Sequence, residues 1–152
     1  MMRRFSHFVF TVLGIIFRHP VTGATIIPVL ASGEIVLVRR RDTGEWGLPG
    51  GVINWGEEVA VTARRELREE TGLDLLEIRR LVGVYSARDR EPRLHSISIL
   101  IEATVTGHLE VQDDLEISDV QAFTTERIPF GSLAHDHERQ LKDFFAGKTI
   151  IA

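Results

Sequence analysis

A tight turn followed by an acidic helical stretch is the feature that most limits the folds open to this chain. The turn is Leu48-Pro49-Gly50-Gly51, residues 57–71 have the composition of a helix, and Gly72 is a residue type that commonly ends one. The apolar stripe of this helix consists of Ala60, Ala63 and Leu67. Such a stripe has to be buried against another layer of structure. We therefore expect the helix to lie on a β-sheet.

Runs rich in β-branched residues on both sides of this helix predict the strands of that sheet. The predicted strands cover residues 24–30, 34–38, 81–85, 96–105 and 119–124. A turn at 31–33 joins the first two runs as a hairpin, and Pro28 indicates an edge position or a bulge in the first. Loops are predicted at 39–56 and 86–94, and a closing helix at 133–145. This order of elements predicts one α+β domain or a layered α/β/α domain.

Size and charge narrow the classes of function. The chain has 152 residues, the size of one domain, and its 43% hydrophobic and 26% charged residues are ordinary for a globular protein. The absence of cysteine excludes disulfides, thiolate metal sites and iron–sulfur clusters, and it fits a reducing compartment, so we expect a cytoplasmic protein. The formal net charge of −4 argues against binding of nucleic acid through its phosphates. An anionic substrate would need help from a cation.

Residues 1–19 form an apolar extension, and the folded domain is predicted to span residues 20–152. The apolar run within the extension, residues 8–17, is shorter than the ~20 residues that a membrane-spanning helix needs. It ends in Phe17-Arg18-His19-Pro20 and not in a cleavage site of small residues. We expect a helix or strand packed on the domain, and no stable membrane span. Contact with a membrane surface or a partner, and export, are the alternatives, and a homodimer stays open.

Three glutamates share one face of the predicted helix. At 3.6 residues per turn, Glu66, Glu69 and Glu70 fall within about 100° of one another. Like charges four residues apart destabilise a helix, and their repulsion grows as the dielectric constant falls. A hard divalent cation such as Mg²⁺ removes this conflict, because it takes oxygen ligands. The alternative is a solvated face whose charge is neutralised by arginines of the same helix. These arginines are Arg64, Arg65 and Arg68.

The same segment resembles the Nudix box at each defined position. Gly51 is followed after five residues by Glu57 and, after seven more, by Arg65-Glu66-Leu67-Arg68-Glu69-Glu70-Thr71-Gly72-Leu73. Residues 46–50 also resemble the family's approach to its box, and the similar layout covers about residues 20–145. The resemblance implies a Nudix hydrolase, an α/β/α sandwich with a mixed β-sheet between helices that cleaves a nucleoside diphosphate linked to another group. It also implies that Arg65 orients a glutamate and that Glu57 holds Arg65.

The resemblance further implies a site for Mg²⁺, for which Mn²⁺ can substitute. Glu69 and Glu70 are the implied metal ligands, Glu66 is a ligand or the base that deprotonates water, and the Gly50 carbonyl is the backbone ligand. Diphosphate hydrolysis needs charge neutralised and a water made nucleophilic, and a bound Mg²⁺ serves both needs. The acidic loop that contains Glu116 can supply a further ligand or the base, or it is a solvated loop.

Less specific sequence features outside the box indicate where a nucleotide substrate would bind. The charged loop before the fourth predicted strand carries Arg88, Arg90 and Arg93, which can contact phosphate or ribose; its other interpretation is a solvated loop. Trp46 and Trp55 can stack on a base, although a tryptophan near a Pro-Gly turn is more often used in packing. Of the two, Trp55 is the predicted substrate contact.

The substrate class follows from a narrower resemblance. The arginine loop and residues 133–137 are similar to the corresponding stretches of bacterial and archaeal ADP-ribose pyrophosphatases, which makes ADP-ribose or a nucleotide sugar the first choice. Arg88 stands near where that branch often has a proline, so a nucleoside triphosphate is second. A nucleotide-sensing module without turnover is third, since every acidic position of the box is present. His135 and His137, two residues apart on the predicted closing helix, predict no joint metal site.

Overall fold

The computed structural model describes residues 19–90 and 94–152. The strands are β1 (Val21–Val29), β2 (Ile35–Arg40), β3 (Trp46–Gly47), β4 (Gly50–Val52), β5 (Leu73–Tyr85), β6 (Ser96–Gly107), β7 (Ile117–Phe123) and β8 (Ile150–Ile151). The helices are α1 (Val59–Thr71) and α2 (His137–Phe145), and short 3₁₀ turns cover Arg88–Arg90 and Thr125–Arg127. In these two described ranges no helix is both long and apolar enough to cross a membrane. Residues 1–18 of the predicted extension lie outside the described residues.

One mixed sheet organises the described part of the chain. Its neighbours in order are β3, β2, β1, β6, β5 and β8, while β4 also pairs with β1 and β7 with β2. β1 and β6 run parallel over the whole length of β1. β4 runs antiparallel to β1 and lies with Gly50 beside Thr25 and Gly51 beside Ala24. The central strand β1 therefore carries the short glycine strand that leads towards α1.

Apolar side chains on the two faces of the sheet form two cores. The core under α1 contains Ile26, Val36, Ala63, Leu67, Leu73, Ile101, Ala103 and Val105. The core on the α2 side contains Ile27, Ile35, Leu37, Leu48, Val82, Tyr85, Leu100, Phe123, Ile128, Leu133 and Leu141. Ile26 and Ile27 belong to different cores because successive side chains of a strand point to opposite faces. The predicted mixed sheet between helices is confirmed.

The strands differ from the prediction in position and length. β1 is central in the sheet, so the edge position predicted from Pro28 is wrong for the strand as a whole. On one side of β1, residues 23–25 pair with β4 and Val29 pairs with β2. Pro28 lies between these two pairings, so its missing N–H removes no hydrogen bond between strands. β5 begins at Leu73 and not at Leu81. The short strands β3 and β4 lie in the segment 39–56, which was expected to be a loop.

The closing helix begins later than predicted, at His137 and not at Leu133. His135 has a left-handed backbone with φ 52°, which a right-handed helix excludes. The residues before α2 bond instead to β3, where the Ala134 N–H donates to the Trp46 carbonyl at 2.8 Å. This attachment brings the start of α2 next to the turn at 48–51.

Candidate active site

The three glutamates of α1 lie beside the glycine turn at different depths. Glu70 is only 6% exposed, and the side chains of Glu66 and Glu69 are 13% and 46% exposed. The Gly50 N–H donates to Glu70 Oε2 at 2.9 Å, which joins the turn to the helix. Helical spacing groups the three carboxylates, and the packing of Leu67 on the sheet sets how deeply each one lies.

Glycine is required where β4 passes between β1 and α1. A Cβ atom on Gly51 would overlap with the carboxylate of Glu66, so the missing side chain makes room for that group. A Cβ atom on Gly50, which has φ 154°, would overlap with the Ala24 carbonyl oxygen. Gly51 therefore lets the backbone approach Glu66, and Gly50 lets it approach β1, more closely than any other residue type would allow.

Arg65 ties Glu66 and Glu69 to Glu57, which precedes the helix. Its Nε and Nη2 donate to the two carboxylate oxygens of Glu57 at 2.9 and 3.0 Å, a bidentate pair. Its Nη1 donates to Glu66 Oε1 at 2.6 Å and to Glu69 Oε2 at 3.4 Å. The hydrogen bonds from Arg65, together with one from a backbone N–H, lower the pKa of Glu57 to about 2. Glu57 is thus ionised throughout the neutral range and anchors the guanidinium.

Burial makes the two inner carboxyl groups, those of Glu66 and Glu70, costly to ionise. It raises the pKa of Glu66, against the opposing effect of the hydrogen bond and charge of Arg65. It raises the pKa of Glu70 to about 8, against the opposing effect of the Gly50 N–H, and the charges of Glu66 and Glu116 add to the shift. A nearby cation favours the ionised form of a carboxyl group. The electrostatics of this face therefore favour a cation.

The acidic loop that precedes β7 is fastened to the end of α1. The Asp113 N–H donates to the Glu69 carbonyl at 2.8 Å, and the Glu110 N–H donates to the Thr71 carbonyl at 2.9 Å. These carbonyls belong to the last turn, where a helix leaves them without an internal partner. The attachment brings Glu116 near enough for its charge to act on the inner glutamates.

A cavity of about 260 Å³ opens beside the glutamates. Glu70 and the glycines of β4 line one part of it, and Arg90, His135 and His137 line another. Its apolar lining includes Leu48, Ile97 and Ile117. Apolar walls with a few convergent polar groups are typical of a small-molecule site.

The donor atoms suit a hard divalent cation. Carboxylate oxygens of Glu66, Glu69 and Glu70, with the nearby Gly50 carbonyl, are the ligand types that Mg²⁺ and Ca²⁺ prefer. In residues 19–90 and 94–152 no three acidic or histidine side chains are already close enough together to hold a metal ion. The buried carboxyl group of Glu70 and the partly buried one of Glu66, both beside the glycine turn, nevertheless suit a cation on this face.

The NUDIX domain model matches residues 19–145. This chain belongs to the Nudix family. The ADP-ribose pyrophosphatase of Methanocaldococcus jannaschii is 36% identical over 138 residues, 88% of this chain and 78% of that protein. The putative 8-oxo-dGTP diphosphatase of Bacillus subtilis is 31% identical over 125 residues, 82% of this chain and 80% of that protein. The solved NUDIX domain of Shewanella oneidensis NrtR, complexed with ADP ribose, has a TM-score of 0.78 at 22% identity, with 88% of this chain and 91% of that chain covered.

Family membership fixes the class of reaction. The protein is a Nudix hydrolase that acts on pyrophosphate bonds, as expected from the box. Nudix hydrolases generally use divalent metal ions, which agrees with the donor set on α1. The roles of the individual box residues stay predictions.

The predicted substrate contacts of this Nudix domain lie in different environments. The Arg90 side chain is 9% exposed, and it donates to both carboxylate oxygens of Asp136 at 2.7 and 3.0 Å. Arg88 is exposed on the same 3₁₀ turn, and Trp55 projects fully into solvent. Trp46 packs edge-on against Phe123, with ring centroids 5.1 Å apart, so it belongs to the core. Arg93 lies outside the described residues.

Two histidines of the Nudix domain were missed as neighbours of the site. His135 precedes α2 and His137 begins it, so the expectation that both lie on one helix is wrong. Their ring centroids are 5.7 Å apart, and both rings line the cavity. Their proximity follows from the left-handed conformation of His135, which spacing on a regular helix does not predict.

Proposed function

We propose that this Nudix hydrolase cleaves the diphosphate linkage of a nucleoside diphosphate derivative, with ADP-ribose or a nucleotide sugar as its substrate. The observation that carries the proposal is the partly buried glutamate face of α1, which meets the glycine turn beside the cavity. The 36% identity to the ADP-ribose pyrophosphatase of M. jannaschii over most of both chains supports the choice of substrate.

Mg²⁺ is the proposed cofactor, and Mn²⁺ can substitute for it. Glu66, Glu69, Glu70 and the Gly50 carbonyl are the groups that would hold the ion. When bound, it would offset the charge of the diphosphate and lower the pKa of a water molecule. Excess EDTA should therefore abolish turnover, and added Mg²⁺ should restore it.

Glu66 is the proposed base that takes a proton from the attacking water. Arg65 holds one of its carboxylate oxygens at 2.6 Å, and Glu57 holds Arg65 in turn, so the direction of the Glu66 carboxylate is fixed before substrate binds. Glu116 on the acidic loop is the alternative base. If Glu66 is the base, Glu66→Gln lowers kcat about a thousandfold, a loss of about 4 kcal/mol of transition-state stabilisation. Glu116→Gln is the matched control, and a larger loss in that variant would transfer the role to Glu116.

The cavity wall beyond the glutamates is the proposed site of the remaining part of the substrate. Arg90 lines this wall, and its charge favours a phosphate or ribose there. Arg88, Arg93 and Trp55 are proposed contacts for the part of the substrate that extends past the cavity. Arg88→Ala should raise KM more than it lowers kcat, because such a contact binds ground state and transition state alike.

The deciding experiment compares kcat/KM for ADP-ribose and for nucleoside triphosphates with Mg²⁺ present. We expect a preference for ADP-ribose of at least about a hundredfold, which corresponds to about 2.7 kcal/mol of differential transition-state binding. The variant with Gln at positions 66, 69 and 70 is the negative control. A preference of that size for a triphosphate would overturn the substrate while leaving the hydrolase intact.

Hydrolysis of nucleoside triphosphates, as in the clearance of oxidised nucleotides, is the second candidate. It is supported by the 31% identity to the putative 8-oxo-dGTP diphosphatase of B. subtilis and by Arg88 near the usual proline position of the ADP-ribose branch. A nucleotide-sensing module is the third, and binding of ADP-ribose without any turnover in Mg²⁺ or Mn²⁺ would establish it.

A further inference from the structure

We propose that His137, the first residue of α2, is a positioning residue for the metal site. Its ring holds the backbone of Leu48 and thereby sets the direction of the Gly50 carbonyl two residues later. The inference rests on the proposed function, because it takes that carbonyl as a metal ligand. His137 lies far outside the Nudix box in sequence, and only the fold brings it to the turn.

The contact is a hydrogen bond from the backbone to a half-buried ring. The Leu48 N–H donates to His137 Nδ1 at 3.0 Å. A backbone N–H can only donate, so Nδ1 carries no proton and the imidazole is neutral with its hydrogen on Nε2. Burial lowers the pKa of His137, and the neighbouring His135 lowers it further, which keeps the ring in this acceptor form.

Gly47 provides the space in which the ring reaches Leu48. A Cβ atom at this position would lie 2.8 Å from Nδ1 and 3.2 Å from Cε1 of His137. The first distance is shorter than ordinary contact, so any side chain at position 47 would push the ring away from the Leu48 N–H. Glycine at 47 and histidine at 137 therefore depend on each other sterically.

The turn between Leu48 and Gly50 is held at each successive residue. His137 accepts from the Leu48 N–H, and the Pro49 carbonyl accepts from the Ile26 N–H at 2.9 Å. The Gly50 N–H donates to Glu70. The second and third bonds come from the sheet and from α1, whereas the first comes from the α2 side of the molecule. His137 is therefore the group by which α2 takes part in fixing this turn.

The start of α2 is itself well anchored, which allows it to hold the turn. Asp136 forms a bidentate ion pair with Arg90, and the Gln140 side chain donates to Asp136 Oδ1 at 3.1 Å. The Ala134 N–H donates to the Trp46 carbonyl at 2.8 Å. Two of these contacts thus fix the residues before His137 in relation to the arginine loop and to β3, and the third joins Asp136 to the helix itself.

The test measures Mn²⁺ affinity of the full chain by titration calorimetry, with no substrate present. His137→Leu keeps an apolar side chain of similar size but removes the acceptor, and we expect Mn²⁺ binding about tenfold weaker, the size of effect that outer-shell partners of metal ligands commonly have. His137→Asn places an amide oxygen near the position of Nδ1 and should restore binding to within about threefold of wild type. Rescue by asparagine separates a positioning role from general packing.

Leu141→Ala is the matched control, because Leu141 is fully buried one turn further along α2. It removes a buried side chain from α2 but leaves the hydrogen bond between Leu48 and His137 available, so it should bind Mn²⁺ like wild type at a temperature where all variants are folded. Equal loss of affinity in Leu141→Ala and His137→Leu would overturn the inference. So would wild-type affinity in folded His137→Leu.

Gly47→Ala keeps His137 but pushes its ring away from the Leu48 N–H, so it breaks the same hydrogen bond. This variant replaces His137→Leu in the test if His137→Leu does not fold. It should weaken Mn²⁺ binding to a similar extent, and unchanged affinity would again overturn the inference.

The outcomes also separate the proposed function from the proposed role of His137. A wild-type protein that neither binds Mn²⁺ nor hydrolyses a nucleotide would reject both, whereas one that does both, with unaffected His137 and Gly47 variants, would reject only the positioning role.

Discussion

At the residue scale, Glu70 has the least favourable environment for a charge among the box glutamates. Its carboxyl group is buried, it accepts one hydrogen bond from the Gly50 N–H, and its pKa is raised to about 8 by burial and by neighbouring acids. Such a group contributes nothing to stability by being charged. The predicted role of Glu70 as a metal ligand would account for its place in the structure.

We expect Glu70→Gln to be at least as stable as wild type when both are free of metal. The amide oxygen can still accept from the Gly50 N–H, and no charge has to be buried. Mg²⁺ at a hundred times its Kd should stabilise wild type by about 2.7 kcal/mol and the variant by much less. Thermal unfolding with EDTA and with Mg²⁺ measures both quantities. Equal stabilisation of the two proteins by Mg²⁺ would remove Glu70 from the set of ligands.

The grouping of Glu66, Glu69 and Glu70 could be predicted from sequence because helical periodicity is local. The contact of His137 with Leu48 could not, because the two residues are 89 positions apart and meet only through the packing of α2 against the sheet. The burial of Glu70 was likewise invisible in the sequence, since a solvated face and a buried face have the same spacing. Gly47 is the residue near the turn that could have indicated a side chain packed against it, but a single glycine in a turn has many explanations.

At the scale of elements, the two glycines of β4 should respond differently to the same substitution. Gly51→Ala places a methyl group against the flexible end of Glu66, so the fold should survive while the displaced carboxylate lowers kcat. Gly50→Ala places it against the backbone of β1, so the free energy of unfolding should fall by about 1–3 kcal/mol. Urea unfolding and kinetics of both variants check this. Equal loss of stability in the two would contradict it.

The start of α2 should make the protein sensitive to acid. His137 is neutral in the folded protein, with a pKa lowered to about 3 by burial and by His135, while Asp136 opposes the shift. The unfolded chain takes up a proton near pH 6.5, so stability is retained above that pH and falls below it, by up to about 1.4 kcal/mol per pH unit until about pH 3. His137→Asn keeps an acceptor but has no proton to gain. Its stability should fall less between pH 7 and 5, and parallel curves for the two proteins would be the contrary result.

Strands and helices can be predicted from the sequence where apolar residues mark a buried face, and they are harder to predict elsewhere. The strand at 81–85 is predictable because its residues form an almost wholly apolar run, whereas the first half of β5 mixes exposed and partly buried residues and gives no such run. β3 and β4 are too short for a periodic pattern. The predicted start of α2 is too early because His135 has a left-handed backbone conformation. Contacts with β3, and not helix propensity, determine that conformation.

At the scale of the whole molecule, the family match begins at residue 19, close to the predicted domain boundary at 20. The apolar run at 8–17 should contribute to stability or assembly, because an apolar segment of that length is normally covered by the same chain or by a second copy. Deletion of residues 1–18 should therefore lower the melting temperature or change the mass measured by light scattering. Unchanged stability and mass, with binding to lipid vesicles lost, would favour a membrane-surface role instead.

The parallel pairing of β1 with β6 bears on how the protein reaches its folded state. Val21 lies beside Ser96, so about half of the chain has to be ordered or looped out before the centre of the sheet can close. Pairings between segments so distant in sequence form slowly. The core under α1 includes Ile101, Ala103 and Val105 of β6, so the glutamates of α1 should reach their final position beside the glycine turn only after this closure. Mg²⁺ should then slow unfolding and leave the refolding rate unchanged, which stopped-flow measurements with and without the ion can resolve.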